Sequence, residues 1–170
     1  ATDAASLIVV APGYVDLAVT VDQRTKLPDL PLDSDKPGRI PLRFLITNLG
    51  NMPVPSLAAV DVAVSLVNLT TGEHLPLTTV PGVRVASLRP GKMAKGKVDV
   101  ELPLGLGGTY SLQVEVSPDA SFTEVLGGST LSDNNTALSQ PLQVAGAFLD
   151  MTRFHDVDLR MVYDAGEWGG

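Results

Sequence analysis

A two-sheet, all-β antiparallel sandwich of about seven to nine short strands, with extra segments at both ends, is the fold this sequence predicts. Three observations carry that expectation. Apolar and polar residues alternate with period 2 in one stretch after another, the signature of a strand with one wet face. Sixteen glycines and thirteen prolines punctuate the 170 residues so closely that long helices have little room. The strands recur at a spacing close to the roughly 8–12 residues of a sandwich, and no βαβ spacing occurs.

The first strand places Val15, Leu17, Val19 and Val21 on one face and Asp16, Ala18, Thr20 and Asp22 on the other. Residues 26–38 carry Pro28, Pro31 and Pro37 among Asp29, Asp33 and Asp35, so they are expected to form an extended loop without a regular hydrogen-bond ladder. Ile40, Leu42, Phe44 and Ile46 alternate next, and Asn48-Leu49-Gly50-Asn51 closes that strand with residues that tolerate left-handed backbone. Val60, Val62, Val64 and Leu66 share the inner face of a third strand. A helical stripe competes there, but branching at Cβ restricts χ1 in a helix and packs well on a pleated face.

Residues 75–79 and 83–88 read as two short strands separated by Pro81-Gly82. Val98, Val100 and Leu102 alternate with Lys97, Asp99 and Glu101, and Tyr110, Leu112, Val114 and Val116 with Ser111, Gln113 and Glu115. Residues 117–132 read as a polar loop, and Asp133-Asn134-Asn135-Thr136 leads into a last strand ending near Val144. Each strand has one apolar face, so two such sheets bury each other. The expected core includes Val19, Leu42, Phe44, Ile46, Val62, Val64, Val100, Tyr110, Leu112 and Val114.

Three segments follow: a leader strand in residues 1–14, the sandwich in 15–144, and an extension in 145–170. The leader centres on Leu7 and Val9. In the extension Val157, Leu159, Met161 and Tyr163 alternate with Asp156, Asp158, Arg160 and Asp164, so it reads as one more amphipathic strand. These six apolar residues are the expected partner contacts, pairing either with their own sheet or, by strand addition, with a neighbouring copy.

Composition excludes several functions. Twelve Lys and Arg against nineteen Asp and Glu give a net charge of −7, the wrong sign for a phosphate backbone or an anionic membrane surface. No apolar run approaches the roughly 20 residues of a membrane-spanning helix. Without cysteine there is neither a disulfide nor thiol chemistry, and a chain of this size buries roughly 68–70% of its unfolded surface without them. The start at Ala1, without a basic n-region, suits a processed, exported protein.

The arrangement resembles a known family, the bacterial cell-adhesion-related domain called CARDB. Four landmarks carry the resemblance: Val15-Asp16-Leu17-Ala18-Val19, Phe44-Leu45-Ile46-Thr47-Asn48-Leu49-Gly50, Val85-Ala86-Ser87-Leu88-Arg89-Pro90-Gly91, and Ser132-Asp133-Asn134-Asn135-Thr136. They span residues 15–144. The last departs from the family's E-x-N-N-T box in lacking its glutamate, and the loop before it is long. The resemblance implies an immunoglobulin- or fibronectin-like sandwich that serves as a repeated spacer or adhesive unit of exported surface proteins. The absence of a cysteine pair, and the position of the single tryptophan at Trp168 in the extension, agree with the non-antibody branch of such folds.

Catalytic chemistry finds little support. His74 and His155 stand far apart in sequence, no nucleophile-elbow motif is present, and His74 beside the Gly72 turn reads as a solvated residue. Calcium is the better chemical candidate, because Asp- and Asn-rich loops supply hard oxygens. Asp119, Glu124, Asp133 and Asn134 are the candidate ligands; Asp29, Asp33 and Asp35, and Asp156 with Asp158, are lesser clusters. None has a full calcium-loop signature, and turn formation by side-chain-to-backbone hydrogen bonds explains the same residues. The expectation is therefore a non-enzymatic extracellular or cell-surface module without a cofactor other than calcium, its partners being other copies of itself or neighbouring domains. The alternative is a calcium- or carbohydrate-binding accessory module of a secreted enzyme.

Overall fold

The computed structural model describes residues 12–22, 30–31 and 38–145. The leader around Leu7 and Val9, the aspartates of the proline loop, and the extension with Val157, Leu159, Met161, Tyr163, His155 and Trp168 lie outside the described residues.

Eleven strands and no helix make up the described chain: β1 (Leu17–Val21), β2 (Leu30–Pro31), β3 (Gly38–Asn48), β4 (Ala59–Asn68), β5 (His74–Arg84), β6 (Met93–Leu102), β7 (Gly108–Pro118), β8 (Val125–Leu126), β9 (Ser129–Thr130), β10 (Thr136–Leu138) and β11 (Leu142–Ala145). One sheet has the order β1-β3-β6; the other has the order β2-β11-β7-β4-β5, with β10 also on β7; β8 and β9 form a small hairpin. This is the all-β sandwich that the alternation predicts. The strand count exceeds the expected seven to nine because β2, β8 and β9 are two-residue pairings and the last strand is split. All pairings are antiparallel except the short one between β2 and β11.

The period-2 pattern becomes a single apolar core. Leu17, Val19, Ile40, Leu42, Phe44, Ile46, Val100 and Leu102 from the first sheet meet Val60, Val62, Val64, Leu66, Leu112, Val114, Val116, Leu142 and Val144 from the second. Each such side chain stabilises the fold by about 1.5–3 kcal/mol on leaving water. Tyr110 sits at the margin, half-buried, where its hydroxyl donates to the Gly107 carbonyl (3.3 Å). Gly96 faces Phe44 across β3 and β6, and the aromatic ring fills the space that a side chain at 96 would take.

Where the structure differs from the expectation, the hydrogen-bond accounting explains why. Pro81-Gly82 does not end a strand: β5 runs straight through. The register shifts between Val60 and Val62, and Asp61 Oδ1 accepts from the Gly82 N–H (3.0 Å), so the extra residue is absorbed as a bulge. Beyond Arg84 the expected strand becomes a turn, with Ser87 at φ 58°, the only non-glycine residue in the left-handed region among the described residues. The last strand breaks at Ser139-Gln140-Pro141, where Ser139 Oγ accepts from the Leu112 N–H (2.9 Å) while β10 and β11 pair with different stretches of β7. The loop at 117–132 contains the β8–β9 hairpin, turned at Gly127 and Gly128, both with positive φ.

Two of the sequence landmarks form one knot. Asn48, fully buried at the end of β3, donates through Nδ2 to the carbonyls of Met52 (2.8 Å) and Leu88 (2.9 Å) and accepts at Oδ1 from the Gly50 N–H (3.0 Å). Its own carbonyl accepts from Gly91 N–H at 2.7 Å. The Asn-Leu-Gly and Leu-Arg-Pro-Gly motifs are therefore two halves of one hydrogen-bonded corner. Asn68 caps the next turn in the same manner, accepting at Oδ1 from Thr70 and Thr71.

Candidate functional site

The box Ser132-Asp133-Asn134-Asn135-Thr136 lies between the two sheets and serves both. The carbonyl of Asn134 accepts from Val19 N–H on β1 (3.0 Å), and that of Asn135 accepts from Val116 N–H on β7 (2.8 Å). Side chains repeat the arrangement: Asn134 Nδ2 donates to Asp16 Oδ1 (3.0 Å), and Asn135 Nδ2 donates to Glu124 Oε2 (2.6 Å). The other oxygen of Glu124 accepts from the Leu17 N–H. Leu17 and Val19 point their N–H groups to the side away from β3, so a carboxylate and a loop carbonyl take the place of a neighbouring strand along the edge of β1.

Glu124 is 3% exposed, a rare setting for a carboxylate without a basic partner. Burial pushes its carboxyl above its ordinary value, with the charge of Asp16 acting in the same direction, while the hydrogen bonds from Asn135 and Leu17 pull it back down. The side-chain oxygens of Asn134 and Asn135 are buried without a hydrogen-bond partner. The pocket is thus rich in acceptors and short of donors.

A pH dependence follows. A carboxyl raised above its unfolded value favours the protonated form in the fold, so its contribution is complete below the unfolded value and is lost as pH rises through the raised one. Glu124→Gln keeps shape and loses the charge. Wild type should therefore gain stability relative to Glu124→Gln as pH falls from neutrality into the mildly acidic range; denaturant midpoints of the two proteins that shift in parallel with pH would show the carboxyl is not held this way. Asp119 behaves oppositely, since the Ser121 hydroxyl and N–H hold it below its ordinary value.

The sequence-derived calcium ligands are now placed. Asp119 turns its carboxylate onto Ser121, Glu124 is engaged in the box, Asn134 is tied to Asp16, and Asp133 is exposed. Asp119 and Glu124 border one cleft; Asp133 and Asn134 do not. Among the described residues, no group of three or more His, Cys, Asp or Glu is arranged to hold a metal ion. That cleft, about 550 Å³ in volume, lies between the end of β7 and the β8–β9 hairpin, with Glu115 and Asp119 beside Val116, Phe122 and Val125. Asp16 and Asn135 were not among the expected site residues. Both stood inside quoted landmarks, but strand alternation places Asp16 on a wet face, and nothing local pairs either residue with its partner.

Comparison with known proteins supplies a fold likeness. No family model matches the chain, and no curated protein does. Among solved structures, the crystal structure of the CARDB domain of the PF1109 protein from Pyrococcus furiosus, in complex with di-metal ions, is 20% identical with a TM-score of 0.46, covering 80% of this chain and 98% of that one. A solution NMR structure of the same domain is 21% identical with a TM-score of 0.47, covering 79% and 98%. A β-glucosidase from Kluyveromyces marxianus is 14% identical with a TM-score of 0.47, covering 77% of this chain and 14% of the enzyme. Each likeness is to a solved structure of low identity, with a TM-score below 0.5.

Proposed function

We propose that this chain is a non-enzymatic structural or adhesive module of an exported bacterial surface protein or filament, working through contacts with other copies of itself or with neighbouring domains. The observation that supports this reading is the state of its sheet edges. β1 is closed by Glu124 and Asn134. β5 carries Pro76 and Pro81, and β6 carries Lys95, Lys97, Asp99 and Glu101, with Arg39–Glu101 and Lys97–Asp99 ion pairs along it. Prolines and charges of this kind discourage strand addition. Among the described residues, β11 has beyond it the two-residue β2, paired at Val144 and Ala145. Among the described residues this is the least protected edge, and residues 146–170, which follow it in sequence, carry the Val157, Leu159, Met161 and Tyr163 pattern that suits an added strand.

Deleting residues 146–170 should abolish self-association, measured by analytical ultracentrifugation, while the melting temperature of the sandwich stays near that of the intact chain. A truncated chain that assembles as before defeats the strand-addition reading. The second reading, a calcium- or glycan-binding accessory module, draws on the acidic cleft instead. It requires calcium or an oligosaccharide to raise the melting temperature.

A further inference from the structure

We propose that the apolar corner where the chain enters the sandwich is a seat for residues 7–10 of this same chain. The inference goes beyond the role of a contact module, because it assigns the leader a place on its own domain and depends neither on residues 146–170 nor on assembly. The connections between β3 and β4 and between β5 and β6 build that corner, joined by hydrogen bonds from Val54 N–H to the Leu88 carbonyl (3.0 Å) and from Ser87 N–H to the Pro55 carbonyl (3.3 Å). A groove of about 600 Å³ runs there, with Pro53, Pro55 and Pro90 in its walls. That volume falls within the roughly 300–1,000 Å³ of ligand sites. The first connection also carries Leu49, Met52 and Leu57, which are 53%, 48% and 87% exposed. Scattered apolar side chains on a surface need no explanation, but several gathered at one corner mark a contact.

Asn51 decides which segment reaches this seat. Its amide holds the entering chain at both ends: Oδ1 accepts from the Tyr14 N–H (2.9 Å), and Nδ2 donates to the Pro12 carbonyl (3.1 Å). The same residue lines the groove, and the Met52 thioether fills the space that a side chain at Gly13 would take. Residues 12–14 are thus tied to the rim. Eleven residues precede Pro12, and the apolar run Leu7-Ile8-Val9-Val10 stops two residues before it. At roughly 3.3 Å per residue, the run lies within about 7–17 Å of chain from the rim. The outer edge of β1 offers it no alternative, since Glu124 and Asn134 already accept from Leu17 and Val19 there. Charge agrees as well. Residues 48–58 and 84–95 carry Arg84, Arg89, Lys92 and Lys95 without a carboxylate, in a chain of net charge −7, whereas residues 1–11 carry Asp3 and no Lys, Arg or His.

The sequence has no cysteine, so a nitroxide placed on the Ala5→Cys variant of the full chain is its sole spin label. Methyl NMR should then lose the Met52 and Leu57 signals and keep that of Leu104, which follows β6 at the opposite end of the sandwich. An equimolar mixture of spin-labelled chain and isotope-labelled chain without the nitroxide should keep all three. Peroxide oxidation followed by mass spectrometry gives a second measure, because Met52 and Met93 differ little in exposure, 48% against 58%. With the leader seated, Met52 should oxidise severalfold more slowly than Met93. The Leu7→Asp, Val9→Asp double variant should bring the two rates together while melting as wild type does, since both changes precede β1. Retained Met52 and Leu57 signals beside the nitroxide, equal oxidation of Met52 and Met93 in wild type, or undiminished protection of Met52 in the double variant would overturn the proposal. Loss of the two signals in the mixture would overturn it too, by showing that the leader of a second copy is the occupant.

Discussion

Asn48→Ala should cost about 3–5 kcal/mol, because it removes three hydrogen bonds of one buried side chain at once. The side chain is fully buried, and alanine removes both donors to the Met52 and Leu88 carbonyls and the acceptor for Gly50 N–H. The Leu88 carbonyl keeps the Val54 N–H (3.0 Å), whereas the buried Gly50 N–H loses its acceptor. A buried group left unmade costs about 1–3 kcal/mol, and groups in one network do not add simply. In a domain whose total stability is roughly 5–15 kcal/mol, the loss should lower the melting temperature by about 10 °C or more. Asn68→Ala provides the comparison, since its hydrogen bonds to Thr70 and Thr71 are exposed to solvent; about 1 kcal/mol is expected there. Equal losses for the two variants in urea denaturation would contradict the importance given to the buried corner.

Gly50→Ala is expected to cost about 3 kcal/mol, at the upper end of overpacking effects. A Cβ at this position would stand 2.5 Å from the Tyr14 carbonyl oxygen, 2.8 Å from Asp16 N and 2.9 Å from Val15 Cα. All three atoms are backbone, and the segment is held in place: Tyr14 O accepts from Asn51 and Met52, and Asp16 O accepts from Leu49 at 2.6 Å. The segment cannot step aside without breaking these bonds. Gly72→Ala is the opposite case, with φ +72° and nothing within 4 Å of the added carbon; it should cost about 1 kcal/mol through backbone conformation alone. A larger loss for Gly72→Ala than for Gly50→Ala would invert the distinction between space and conformation.

Gly50 also shows where reading residues in order reaches its limit. The motif around it suggested a left-handed turn, but its φ is not positive; the residue is small because the backbone of residues 14–16 passes against it. Alternation along each strand made the inner faces legible, and every expected core residue is buried except Tyr110, which keeps its hydroxyl at the margin. Prolines and glycines were less reliable as boundaries. Pro81-Gly82 sits inside β5 because Asp61, on the neighbouring strand, satisfies the bulge, and no local window contains that partner. Glu124 is the same problem at longer range. In sequence it is one acid in a polar loop, and its meaning comes from Leu17 and Asn135, the first of them 107 residues away.

That separation bears on how the chain folds as it emerges. Strand β1 can pair with β3 early, but among the described residues it is residues 124 and 134 that close its outer edge. A nascent or translocating chain that appears amino terminus first must carry β1 with an unlatched edge until almost the whole sandwich has been delivered. Such late, non-local closure slows folding and exposes an edge to wrong partners. A chain stalled before residue 124 would keep the β1 edge unlatched, with its Leu17 and Val19 N–H groups unmet by the carboxylate and carbonyl that close them in the complete sandwich.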